Sequence, residues 1–172
     1  MRIPLIWDDV IKEYAAMTLY KRMVKGIVAG VAYFGPGVPQ VAGAPLHVTW
    51  NLTQKCDLEC LHCYSEKKKR KPKEELTEKQ SKRLIDHLAE TGVVSLTLSG
   101  GEPLLRKDIF RLIRHAKNRG LYVRIETSGQ TIDKKTAKKL HTSGAKAVVI
   151  PIDGGYPRTH DIFRQKPGCF IK

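Results

Sequence analysis

At 172 residues the chain has the length of a single domain and is long enough to bury a core, with 41% hydrophobic content typical of a globular protein. Its formal net charge is +14, and its four cysteines, three of them within eight residues, exclude a secreted disulfide framework and fit a reducing cytoplasm. No signal peptide is expected, because Met1 and Arg2 are followed by Pro4, Trp7, Asp8 and Asp9, and the apolar stretch 26–34 is too short to span a bilayer.

Residues 8–24 read as an amphipathic helix, with Asp8 as N-cap and Val10, Ile11, Tyr14, Met17 and Val24 near helical spacing. Residues 26–45 are rich in glycine and proline and read as a connector. This divides the chain into an N-terminal helix and connector, 1–45, and a core, 46–172. The core opens with a strand over 46–52, followed by Cys56, Cys60 and Cys63. Much of the positive charge then sits in the run Lys67, Lys68, Lys69, Arg70, Lys71 and Lys73. It has no apolar periodicity and no interleaved aromatic residues, so it reads as a solvated loop and nucleic acid is not an expected partner.

From there strand and helix alternate. Thr77 and Gln80 form a capping box ahead of a helix whose apolar face is Leu84, Ile85, Leu88 and Ala89 and which stops at Gly92. A strand over 93–98 leads into Ser99-Gly100-Gly101-Glu102-Pro103. The stripe Ile109, Leu112, Ile113 and Ala116 marks a second helix that stops at Gly120. A strand over 121–125 ends in Glu126-Thr127-Ser128-Gly129. A third helix runs from Asp133 to Gly144, and a fourth strand over 147–152 ends in Asp153-Gly154-Gly155. The stop glycines lie 28 and 24 residues apart, the length of one strand–helix unit. Such alternation predicts an α/β fold with parallel strands. Each polar, glycine-rich cluster falls at the C-terminal end of its strand, where sites assemble in parallel α/β folds. Four successive strands feeding one rim suit a partial (βα) barrel better than a single switch-point crevice.

The cysteines are spaced C-x3-C-x2-C. Asp57 and Glu59 between them argue against a buried apolar element. Three thiolates from one short loop leave a coordination position open for chemistry, which points to an iron–sulfur cluster. Zinc is the alternative, with His62 or His47 as fourth ligand. Zinc sites usually add a second cysteine pair far along the chain, and here Cys169 stands alone. Cys169 reads as a buried or free thiol, and His47, His87, His115, His141 and His160 as structural or surface groups.

Cys56-x3-Cys60-Leu61-His62-Cys63, with Gly100-Gly101-Glu102-Pro103 after the second strand, resembles the radical S-adenosylmethionine (SAM) superfamily. The stretches Thr49-Trp50-Asn51-Leu52-Thr53 and Ile152-Asp153-Gly154 are similar to its SPASM/Twitch-like branch, which includes enzymes of haem and cofactor biosynthesis and peptide maturases. The resemblance spans roughly 46–170. It implies a [4Fe–4S] cluster on Cys56, Cys60 and Cys63, whose open iron chelates SAM. It also implies reductive cleavage of SAM to a 5′-deoxyadenosyl radical that abstracts hydrogen from a small-molecule or peptide substrate. His62 would lie by the adenine, Gly100 and Gly101 would let the backbone approach the methionine moiety, and Glu102 would accept from its ammonium. Ser128 and Asp153 are expected at the SAM carboxylate or ribose. Pro151 stands where relatives commonly carry serine, which removes a hydroxyl. An electron donor such as a ferredoxin or flavodoxin is expected. Cores of this type have six strand–helix units, and about four are visible, so the chain is expected to be an N-terminal portion, with a second polypeptide as one way to complete the barrel. The competing readings are a non-catalytic zinc or iron–sulfur module and an RNA-modifying radical SAM enzyme.

Overall fold

The computed structural model describes residues 45–64 and 75–171. The helix expected over 8–24 and the basic run of 67–73 lie outside the described residues. Four strands, β1 (His47–Thr53), β2 (Ser95–Gly100), β3 (Tyr122–Glu126) and β4 (Ala147–Val149), form one sheet in the order β1-β2-β3-β4. Every neighbouring pair is parallel, with Val48 beside Leu96, Leu96 beside Val123 and Ile125 beside Val148. The helices α1 (Glu78–Glu90), α2 (Ile109–Asn118) and α3 (Lys134–Ser143) connect successive strands, and α4 (Pro157–Arg164) follows β4. Strands in strict sequence order, each followed by a helix, are the opening part of a barrel wall, as the alternation predicts.

Side chains alternate across a strand, so one face of the sheet is apolar and the other polar. Leu96, Leu98, Val123 and Ile125 are fully buried on the apolar face. Against them pack Ile85 from α1, Leu112, Ile113 and Ala116 from α2, and Leu140 from α3. These are the stripes read from the sequence. Burying each large aliphatic side chain stabilises the fold by about 2–3 kcal/mol. The opposite face carries Thr49, Thr97 and Arg124 in one register row, the wall of the barrel interior.

β2 and β3 begin and end one or two residues later than the apolar runs 93–98 and 121–125 suggest. The cause is a repeated helix ending. Val93, Leu121 and Ala145 donate their N–H groups back to Leu88, Ala116 and Leu140, five residues earlier, across the left-handed glycines Gly92, Gly120 and Gly144. Residues after each glycine are therefore still closing the helix before the sheet ladder starts. β4 is shorter than the expected 147–152 because Pro151 has no N–H to extend the ladder. α4 was not read from the sequence. Its signal is Pro157 at the first turn, preceded by Gly154 and Gly155.

Two polar clusters fix the strand ends. Arg106 pairs with Asp108 at 2.7 Å and reaches the carbonyls of Leu52 at 2.9 Å and Leu76 at 2.6 Å. Thr53 donates to Glu75 at 2.7 Å, which fastens the start of the cysteine loop. No helix among the described residues is long and apolar enough to cross a membrane.

Candidate active site

The loop after β1 turns tightly at its cysteines, the N–H of Cys63 donating to the carbonyl of Cys60 at 3.2 Å. All three clustered thiols are partly exposed, and Cys169 is buried. They open into a cavity of about 650 Å³ at the C-terminal edge of the sheet. Cys56, Cys60, His62 and Cys63 line it from the loop, Gly100 and Gly101 from the end of β2, Ser128 from the end of β3, and Asp153 from beyond β4. Segments up to about a hundred residues apart meet there because parallel strands place their C-terminal ends on one rim. Glu126 and Thr127, part of the polar cluster expected at the end of the third strand but given no role there, also line the cavity, as does Arg164, which the sequence does not single out.

Glu102 lies beneath that surface. It is completely buried, and its carboxylate accepts four hydrogen bonds within the protein. Its Oε1 accepts from the Thr127 hydroxyl at 2.8 Å and from Leu104 N–H at 3.0 Å. Its Oε2 accepts from the Ser128 N–H and hydroxyl, both at 2.8 Å. A buried polar group is costly unless hydrogen-bonded, and these four donors occupy both oxygens. The ammonium contact expected of Glu102 would require one of these bonds to be exchanged.

The two glycines answer to a neighbouring stretch of protein backbone. A Cβ on Gly100 would overlap the Thr53 carbonyl oxygen, and one on Gly101 the Lys55 carbonyl oxygen. Gly101 N–H donates to Thr53 at 2.8 Å and Glu102 N–H to Lys55 at 2.6 Å. The end of β2 thus presses directly on the stem of the cysteine loop, at a distance that only glycine allows.

Asp153 is held by two neighbours. Arg164 Nε donates to its Oδ2 at 2.5 Å, and its own N–H donates to His160 Nδ1 at 3.1 Å. His160, expected at the surface or in a structural role, is buried with its ring edge-on to Phe170 at 5.7 Å. His62 Nε2 lies 3.7 Å from the other Asp153 oxygen, and its ring is 5.9 Å from Phe163. Burial pushes the Cys60 thiol above its ordinary pKa, and the Arg164 guanidinium opposes that rise. Burial also works against the charge of Arg164, but the hydrogen bond and charge of Asp153, with a smaller contribution from Cys60, together hold that pKa above its ordinary value.

Among the described residues no three His, Cys, Asp or Glu side chains converge on a point that could hold a single metal ion. Cys56, Cys60 and Cys63 are the residues that would hold an iron–sulfur cluster. The donor chemistry, three soft thiolates beside a cavity with glycine walls, fits such a cluster.

Residues 50–170 match the Radical SAM superfamily. The chain belongs to the radical SAM superfamily. This family works with a [4Fe–4S] cluster and SAM. The chain is 38% identical over 130 residues to an AdoMet-dependent heme synthase of Methanosarcina barkeri, covering 76% of the chain and 37% of that protein. It is 37% identical over 123 residues to the mycofactocin maturase MftC of Mycolicibacterium smegmatis, covering 72% of the chain and 31% of that protein. These radical SAM relatives are of the haem-synthesis and maturase kinds that the motifs resemble. The chain spans about a third of the length of the curated relatives it matches. The fold superposes on Streptococcus suis SuiB bound to S-adenosylmethionine with a TM-score of 0.67 at 22% identity, covering 84% of the chain and 33% of SuiB.

Proposed function

We propose that this chain is the cluster- and SAM-binding portion of a radical SAM enzyme acting in cofactor or haem biosynthesis or in peptide modification. The observation that carries the reading is one cavity shared by three thiols of the loop that follows β1 and by the C-terminal ends of the parallel strands β2, β3 and β4. Its volume lies within the range of small-molecule sites, about 300–1,000 Å³. Cys56, Cys60 and Cys63 would hold the cluster. A cluster held there would supply the electron for reductive cleavage of SAM to methionine and a 5′-deoxyadenosyl radical able to take hydrogen from the substrate.

The protein's own part is binding and orientation. Gly100 and Gly101 form a wall without side chains. Ser128 offers a hydroxyl at the end of β3, held by Glu102, and His62 and Asp153 close the side facing α4. The haem synthase and the maturase among the relatives support a tetrapyrrole or a peptide as substrate class. A low-potential ferredoxin or flavodoxin would supply the electron, the cytoplasm is the compartment that suits oxygen-sensitive thiolate ligation, and further strand–helix units, in cis or from a second polypeptide, would close the barrel.

Anaerobic reconstitution tests this reading. Wild type should take up iron and sulfide at about four each per chain, and Cys56→Ala should abolish it. Reduction with SAM present should release 5′-deoxyadenosine, which a non-catalytic metal module would not. Tightly held zinc in oxygen-free material with no brown chromophore would overturn the assignment.

A further inference from the structure

α4 is fastened to the cysteine loop at three points. Leu61 N–H donates to the carbonyl of Phe163 at 2.8 Å. Lys166 Nζ reaches Asp57 at 3.3 Å across the loop's base. Between them Arg164, the last residue of the helix, turns its guanidinium inward with 8% of its side chain exposed. Its three nitrogens have three separate destinations: Nε to Asp153, Nη2 to the Pro151 carbonyl at 3.1 Å, and Nη1 to Cys60 Sγ at 4.0 Å. The fork is therefore fixed in orientation, with one N–H aimed at a sulfur that would ligate iron.

We infer that Arg164 is a positioning residue that sets the reduction potential of the cluster through Cys60, with Asp153 as its counterweight. The inference rests on the proposed cluster at Cys56, Cys60 and Cys63. Reduction adds one electron, and so one negative charge, with no proton transferred and no bond broken. An N–H donor and a positive charge beside a ligating sulfur favour the more negative state and raise the potential. The Asp153 carboxylate, paired to the same guanidinium, offsets part of that charge. Because Asp153 also lies 3.7 Å from His62 in the SAM cavity, the residue that balances the arginine belongs to the SAM site as well.

The test is a dithionite titration of the anaerobically reconstituted chain without SAM, followed by the EPR signal of the reduced cluster. Arg164→Gln should shift the midpoint to more negative potential, Arg164→Lys should shift it less, and Asp153→Asn, which leaves the guanidinium uncompensated, should shift it the opposite way. If Arg164→Gln fails to load a cluster, the paired shifts of Arg164→Lys and Asp153→Asn decide the matter. Wild-type midpoints in all variants that load, alongside SAM cleavage by the unsubstituted protein, overturn this inference alone. Absence of any cluster in the wild-type protein overturns it together with the proposed function.

Discussion

Ser128 donates two hydrogen bonds to one oxygen of Glu102, from its backbone N–H and from its hydroxyl, each 2.8 Å long. The carboxylate thereby ties the end of β2 to the end of β3 and orients the Ser128 hydroxyl at the rim of the cavity. Glu102→Gln keeps the shape but replaces one acceptor oxygen with an N–H₂ donor facing donors. We expect a loss of about 1–3 kcal/mol of stability, the cost of leaving buried polar groups unpaired. SAM binding should weaken with it. Urea denaturation of the two proteins checks the first expectation, and an unchanged midpoint would count against the hub role of Glu102.

Gly101 provides a second test of how the loop is held. Alanine at this position would drive its Cβ into the Lys55 carbonyl, one residue before Cys56. The loop stem must then move, at about 1–3 kcal/mol for an overpacked contact. Gly101→Ala should lose most of its iron and sulfide after reconstitution. Gly155→Ala is the control, because a Cβ there meets nothing within 4 Å. Full cluster retention in Gly101→Ala, or equal loss in both variants, would show that close approach at the stem does not govern cluster binding.

The elements with strong local signals were legible before the fold was seen. The stripe Ile109, Leu112, Ile113 and Ala116 is the buried face of α2, and the Thr77–Gln80 capping box is present in the structure. Gly100 and Gly101 could be read as positions of close approach, but not as positions pressed by Thr53 and Lys55, because that neighbour is set by the register of β1 on β2. Glu102 shows the same limit. The resemblance implies a ligand contact for it, and its internal partners Thr127 and Ser128 lie at the end of another strand. Arg164 and α4 escaped notice because the helix is short and exposes Ile162 and Phe163, so it has no clear apolar stripe. Arg106 is similar, since every partner of its guanidinium apart from Asp108 is more than twenty residues away.

The outer face of the helices carries a prediction about pH. Glu78, at the start of α1, accepts from Arg111 Nη2 at 2.7 Å and pairs with Lys82 at 2.8 Å. Arg111 chiefly, and Lys82 next, lower its pKa from 4.5 to about 2. A carboxylate with a depressed folded-state pKa contributes stability that is fully present above its unfolded value and disappears as pH falls through the folded one. The gap in urea midpoint between wild type and Glu78→Gln should therefore be largest above 4.5, narrow as pH drops, and close near 2. Both partners are solvent-accessible, so added salt should narrow the gap at neutral pH as well. A difference between the two proteins that stays constant from neutral pH to strong acid would show that the Arg111 and Lys82 contacts do not couple Glu78 ionisation to folding.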